Sequence, residues 1–509
     1  MKFLLLLLGL CSTSLALAQK LIILHTNDHH GKFMPNANGD HGLAQQSTLV
    51  KKIREEARKN GDFVLVLSAG DINTGSPESD MFDAEPDIRA MNEIGYDVMV
   101  LGNHEFDNPA PVLRRQEQLA KFDFISANTM GPDGKPAFKP YVTKILGGKK
   151  VAIVGFTTPD SNLTAPENLG GLTIVDPFES TRELVKELEK THDLVIGLSH
   201  LGYYENESHG SLPPGDETLA KKNPELDYIV GGHSHTELQQ PVKIGNTGIV
   251  QAKESGYFVG KLEIDLSTNK MTNYQLIPVK GFESDPAITR ITDPYMQEAK
   301  VKLDEKIGTT VSEFKGGRGV IDTSQMPLGK LVATGQRKKV SADIAIVQAK
   351  GLRTGLPAGE VKLRHVLSIS PFGNTLTTAT LTGKELWKTV QALQDEFLAS
   401  GEMVYFSDNV EVKTAGNKVT EIRYDGKVVP DDDSGGYKIV ANNYITEIVP
   451  SFAFIRNHPT FRNTGITDAQ ALVSFVKENP NLDPKAFGHK SYVEGKACPA
   501  AIEEFIKKP

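Results

Sequence analysis

The sequence predicts an α/β protein of two units, a layered α/β domain followed by a smaller mixed α/β domain, and three observations predict it. Short apolar runs alternate with amphipathic stretches from residue 20 to about 265. The chain has 509 residues, too many for one ordinary core. Near "DPAITRITDPYMQEAKVKLDEKIGTT" the alternation gives way to a charged helical segment behind a Pro-marked break.

Taken in order, the chain opens with Lys2, the apolar block "FLLLLLGL" and "LALAQ", which places Ala16 and Ala18 where a signal peptidase cuts. A signal peptide over residues 1–18 is expected, and with it export to the periplasm or beyond the cell. Its removal takes Cys11 and leaves Cys498 alone, so no internal disulfide is expected and core burial must supply the stability. The runs "LIILHT", "FVLVLSA", "DVMVLG", "FDFISA", "VAIVGF", "DLVIGLS" and "LDYIVGG" read as strands. Between them "LVKKIREEARKN", "EPDIRAMNEIG" and "STRELVKELEKTH" carry apolar residues at helical spacing. Apolar strands alternating with helices imply sheets covered on both faces. This first domain is expected over 19–284, a connector helix over 285–312, and a second domain over 313–509. In the second, "SADIAIVQA", "TLTTATLTG", "KELWKTVQALQDEFLAS", "KVTEIRYDGKVV" and "GYKIVANNYI" read as strand, strand, helix, hairpin and strand.

Composition narrows the function. A formal charge of −8 with no basic run argues against nucleic acid as a partner. No later stretch is long and apolar enough to cross a bilayer, so no stable membrane anchor is expected, and a monomer is the expected state.

In sheets of this kind polar chemistry collects in the loops beyond the strands' C-terminal ends. After "LIILHT" come Asp28 and His30; after "FVLVLSA", Asp71; after "DVMVLG", Asn103, His104 and Asp107. "DLVIGLS" runs into His200, and "LDYIV" into His233 and His235. Any one of these alone reads as a surface histidine or a helix-capping aspartate. Together they form an oxygen and nitrogen donor set without sulfur, which suits Zn, Mn, Co or Fe. Seven ligand candidates among these nine side chains exceed one open site and suit two divalent metal ions sharing a carboxylate. Two ions ~3.5–4 Å apart clamp the attacking and leaving oxygens of phosphoryl transfer. His29 should face away from His30, and His25 should be a hydrogen-bonded core histidine.

"HTNDHHG", "SAGDINTGS", "LGNHEFD", "GLSHLGY" and "GGHSHT" resemble the motifs of calcineurin-like metallophosphoesterases. Among these the chain is most similar to the exported 5'-nucleotidase/UDP-sugar hydrolase family, with "PFGNTLTTATLTGKEL" extending the match into the second domain. The resemblance implies a four-layer αββα metallophosphoesterase domain followed by a mixed α/β substrate-binding domain. It implies one metal on Asp28, His30 and His235, a second on Asn103, His200 and His233, and Asp71 bridging them. His104 and Asp107 match the catalytic pair. Phe372 and Tyr444 would sandwich a nucleotide base, while Arg353 and Arg318 would contact its anionic part. The implied reaction is hydrolysis of nucleotides to nucleoside and phosphate by in-line attack of metal-activated water. The pattern departs at Gln348, Lys350, Asp322 and Pro450, all in the second domain. These departures leave the metal chemistry intact and open the substrate to alternatives: a UDP-sugar, a 2',3'-cyclic nucleotide or a sulfur-linked ester. A nucleotide-binding protein without turnover is the further alternative, and the retained His104–Asp107 pair argues against it.

Overall fold

The computed structural model describes residues 19–36, 38–159, 161, 166–204, 214–317, 326–397 and 402–488. The expected signal peptide, Arg318 and Asp322 lie outside the described residues.

Two six-stranded sheets face each other in the first domain. One holds β1 (Lys20–Thr26), β2 (Phe63–Ser68), β3 (Val98–Val100), β4 (Asp123–Ile125), β13 (Phe258–Asp265) and β14 (Lys270–Pro278), in the order β14-β13-β1-β2-β3-β4. The other holds β6 (Tyr141–Leu146), β7 (Lys149–Thr157), β9 (Leu194–His200), β10 (Tyr228–Gly231), β11 (Val242–Ile244) and β12 (Thr247–Gln251), in the order β11-β12-β10-β9-β7-β6. β5 (Thr129–Met130) and β8 (Thr173–Ile174) form a small ladder of their own. β1 to β4 run parallel, as do β7, β9, β10 and β12, so each sheet points its inner strands' C-terminal ends the same way.

Alternation along the strands sorts three apolar layers. Leu21, Ile23, Leu65, Leu67, Val98 and Val100 meet Val151, Ile153, Leu194, Ile196 and Leu198 between the sheets. Their neighbours Ile22, Leu24, Val66 and Met99 face outward onto α1 (Leu43–Asn60) and α3 (Glu85–Ile94), through Leu49, Val50, Ile53, Ile88 and Met91. On the far side Val154, Val195 and Ile229 pack on Val185, Leu188 and Leu219 of the helices Arg182–Thr191 and Asp216–Lys222. The result is the four-layer αββα arrangement, and burial on both faces explains why β1 and β9 read as unbroken apolar runs.

The segment expected as a connector differs from expectation at its end. A helix spans Pro286–Leu303, started by Asp285, whose Oδ1 accepts the Ala287 amide at 3.0 Å. Residues Lys306–Thr310 then form a strand paired with Gly359–Lys362 and Asn481–Leu482, already inside the second domain. That strand, KIGTT, is five residues long with a single aliphatic side chain, so it offers no apolar run to read. The second domain's main sheet orders Val404–Phe406, Ile344–Gln348, Tyr437–Asn442, Thr375–Leu381 and Arg462–Thr467. Helices Pro327–Lys339 and Asp468–Glu478 cover one face and Gly383–Glu396 the other.

Candidate metal centre

The site forms where the C-terminal ends of β1, β2, β3, β9 and β10 converge. Asp28 and His30 follow β1, Asp71 follows β2, Asn103 and His104 follow β3, His200 ends β9, and His233 and His235 follow β10. Three sets of donor atoms each lie within 4.8 Å of one another: Asp28, His30 and His235; His30, Asp71 and His104; Asp71, His200 and His233. Nε2 of His30 and Nε2 of His235 stand 3.0 Å apart. Nδ1 of His233 lies 3.0 Å from Oδ1 of Asn103. The seven donors read from the strand tips are therefore brought together.

The donor set fits divalent metal. Nε2 of His200 is buried and 3.0 Å from Oδ2 of Asp71, yet it forms no hydrogen bond there. A buried imidazole nitrogen facing a carboxylate at this distance is placed as a ligand is placed. Nδ1 of His200 is bonded to the Ala69 carbonyl at 2.5 Å, which leaves Nε2 to face the centre. Nδ1 of His30 is likewise held by the Thr74 carbonyl at 2.9 Å. Carboxylate, amide and imidazole donors without thiolate suit Zn, Mn, Co or Fe.

Electrostatics keep both carboxylates of the site ionised. Burial works against ionised Asp28, but His235 and His200 outweigh it and hold the carboxyl below its ordinary value. Burial likewise opposes ionised Asp71, and the surrounding histidines overcome it, holding that carboxyl well below the usual range. Burial also opposes charge on His104, but Asp107 and Asp71 together raise it to about 9. The His104 ring is bonded through Nδ1 to Oδ2 of Asp107 at 2.6 Å, and its amide donates to Oδ1 of Asp71 at 3.0 Å.

Two buried residues escaped the sequence reading. Glu105 receives the amides of Asp71 and Ile72 at 2.9 Å each and of Gly102 at 2.7 Å, which ties the β2 and β3 tips together. Asn27 donates to Oδ2 of Asp28 at 2.5 Å and accepts the Ala252 amide at 2.9 Å. Each lies inside a quoted motif, beside a residue read as a ligand or as one of the catalytic pair, and nothing in the sequence marks its own role. His29 is buried and bonded to Gln46 at 3.0 Å, away from His30's partners. His25 corrects its expectation: both ring nitrogens are buried without a hydrogen bond. It points into the apolar layer between the sheets, stacks near Tyr274 at 6.0 Å, and burial pushes it down to about 3.

From the second domain, Phe372 stacks on His104 with centroids 5.8 Å apart, and the Arg353 guanidinium sits 4.8 Å over the Phe372 ring. Both line a cavity with His30 and His235. Tyr444 is not among the residues that line this cavity; it is half-buried against the second domain's core in the π-helical turn Tyr444–Ile448. Lys350, at one departure from the family pattern, is paired with Glu402 at 3.0 Å.

Fold and site together define a calcineurin-like metallophosphoesterase, a metal-dependent phosphoester hydrolase. Residues 21–237 match the family described as calcineurin-like phosphoesterase, and residues 306–452 match the 5'-nucleotidase C-terminal domain. The chain belongs to the 5'-nucleotidase family. It is 35% identical to a 5'-nucleotidase of Vibrio vulnificus over 92% of both chains. It is 34% identical to protein UshA of Escherichia coli over 93% of this chain and 94% of that one. The solved 5'-nucleotidase precursor of Thermus thermophilus superposes with a TM-score of 0.74 at 27% identity, covering 91% of this chain and 97% of that one.

Proposed function

We propose that this chain is an exported enzyme that hydrolyses nucleotides to nucleoside and phosphate, using two divalent ions. One ion would be held by Asp28, His30 and His235, the other by Asn103, His200 and His233, with Asp71 between them. The observation that carries the reading is the position of Asp71, whose carboxylate falls within donor range of both His30 and His200. Bound ions would supply Lewis acidity at phosphorus and a water-derived nucleophile at neutral pH. The chain's own residues do the rest. Asp107 fixes the His104 ring through Nδ1 at 2.6 Å, which leaves Nε2 on the side of Asp71 to interact with a phosphoryl oxygen or the departing ester oxygen. Phe372 covers one face of the His104 ring and limits its contact with water. Export is supported by Lys2, the apolar block and the Ala16–Ala18 spacing.

The test is hydrolysis of an aryl phosphate and of AMP by the Mn- or Zn-loaded protein, with activity lost on chelation. His104→Ala should lower kcat about 10²-fold or more with metal content unchanged. A full metal complement with wild-type turnover in that variant removes His104 from the reaction.

A further inference from the structure

The ring that covers His104 is carried by a short loop whose two ends are held by a single residue. Residues 370–374 lie between the helix Leu363–Leu367 and the strand Thr375–Leu381, with Phe372 at the middle of the loop. At one end Ser370 Oγ donates to Oδ2 of Asp468 at 2.7 Å. At the other the Asp468 amide donates to the Asn374 carbonyl at 2.9 Å. Only Pro371, Phe372 and Gly373 lie between the two bonds. The Pro371 ring fixes its own φ, and Gly373 turns the chain back at a φ of 67°, a region that favours glycine.

Asp468 opens the helix Asp468–Glu478 without capping it. Thr467 does that, its Oγ1 accepting the Gln470 amide at 3.1 Å. The Asp468 carboxyl is instead buried, with Oδ1 on the Ala469 amide at 2.7 Å and Oδ2 left for Ser370, which is buried too. Burial pushes the carboxyl up to about 7, and the Ser370 hydroxyl leads the groups that pull it back. A hydroxyl bonded to a buried carboxyl is a strong and directional tie. The part it holds reaches the chemistry: Phe372 stacks on His104 with centroids 5.8 Å apart and planes 25° apart. The Arg353 guanidinium sits 4.8 Å over the same ring, and the Arg353 amide donates to the Ile369 carbonyl at 2.8 Å, next to the pinned end. Movement of the loop's ends is therefore passed to the ring that lies on His104.

We propose that Asp468 is a positioning residue for hydrolysis: through Ser370 and Asn374 it sets the Phe372 ring against His104, and it acts on the reaction only through that ring. The proposal rests on the nucleotide-hydrolase reading, in which His104 meets the reacting phosphate. A displaced ring leaves a face of His104 open to water and the imidazole free to tilt from the reacting oxygens. Misplacement of about 1 Å at a reacting group costs up to about 10²-fold in rate.

The experiment measures kcat/KM for an aryl phosphate and for AMP on the Mn-loaded protein with Ser370→Ala, Asp468→Ala and Asp468→Asn, each also combined with Phe372→Ala. Ser370→Ala and Asp468→Ala should each lower kcat/KM about tenfold. Asp468→Asn keeps the shape and one acceptor and should stay within about threefold of wild type. With Phe372→Ala already present the same substitutions should cost less than about twofold, because no ring is left to position. Equal losses in both backgrounds, or wild-type turnover in Ser370→Ala, overturn the assignment. Ser370→Ala removes the tie without touching the helix, so it decides the matter if Asp468→Ala fails to fold. The ring is followed directly by Phe372→Trp in a Trp387→Phe background, which makes the introduced indole the protein's only one. Its fluorescence anisotropy should fall when Ser370→Ala is added, and an unchanged value overturns the assignment. If the wild type hydrolyses no phosphate ester with any metal, the nucleotide-hydrolase reading fails, and the anisotropy alone decides whether Asp468 holds the ring.

Discussion

Asp87 opens α3 with its side chain wholly buried: Ser79 Oγ donates to Oδ2 at 2.6 Å, and Oδ1 has no partner. Burial pushes its carboxyl up to about 8, with the nearby charge of Asp80 adding to it. The folded value is raised above the unfolded one, so the folded state binds the proton more tightly. That contribution is complete below the ordinary carboxyl range and is lost as pH climbs through about 8. Asp87→Asn keeps the shape and abolishes the titration. It should gain at least about 1 kcal/mol on the wild type between pH 5 and pH 8.5, measured by urea unfolding at both. A difference that stays constant with pH would show that Asp87 ionises in the folded chain as it does in the unfolded one. The same scale holds the nucleus of the chemistry, since the His104 ring takes its orientation from the one carboxylate of Asp107.

At the scale of elements, the site is a set of strand ends forced into tight turns. Asp28, His30, Asp71, His233 and His235 all have positive φ, between 51° and 73°. Each such residue costs on the order of 1 kcal/mol or more, and the Glu105 and Asn27 clamps hold the turns in place. Packing between the tips is equally tight. A Cβ on Gly102 would lie 2.1 Å from Oδ1 of Asp71 and 2.8 Å from Nε2 of His200. Gly102→Ala must therefore displace the shared carboxylate or the histidine, and bound metal counted by plasma emission should fall well below wild type with the circular dichroism unchanged. Full metal content in that variant would mean the β3 tip yields without cost. This geometry also explains what could be read without coordinates. The donors sit directly behind runs buried on both faces, so the apolar pattern locates the strand and its end locates the ligand. Lys32 and Tyr257 lie in ordinary polar context, and their meeting in one cavity wall depends on how loops from distant parts of the chain fold over the sheets. The strand Lys306–Thr310 was missed because its pairing partners, not its composition, make it a strand.

At the scale of the whole molecule, the cleft exists only because two domains face each other, and Arg364 joins them. Its guanidinium pairs with Glu78 of the first domain and, at 2.8 Å, with Asp304 at the end of the connecting helix. These side chains are between 15% and 26% exposed, so the pairing is more than a solvated surface contact. Hydrogen bonds to charged groups are worth about 1.5–3 kcal/mol when so placed. A shift of about 1.4 kcal/mol changes the ratio of two domain arrangements tenfold. Phe372 of the second domain stacks on His104 of the first in the same arrangement that Arg364 bridges. Breaking this hub should therefore free the domains to rotate about the helix Pro286–Leu303. Spin labels on the exposed Ile145 and Val428, one in each domain, would report it, because both side chains face solvent. Arg364→Ala should broaden the distance distribution between the labels. An unchanged distribution in Arg364→Ala would place the hold between the domains in the remaining interface, with the His104–Phe372 stack as its nearest part.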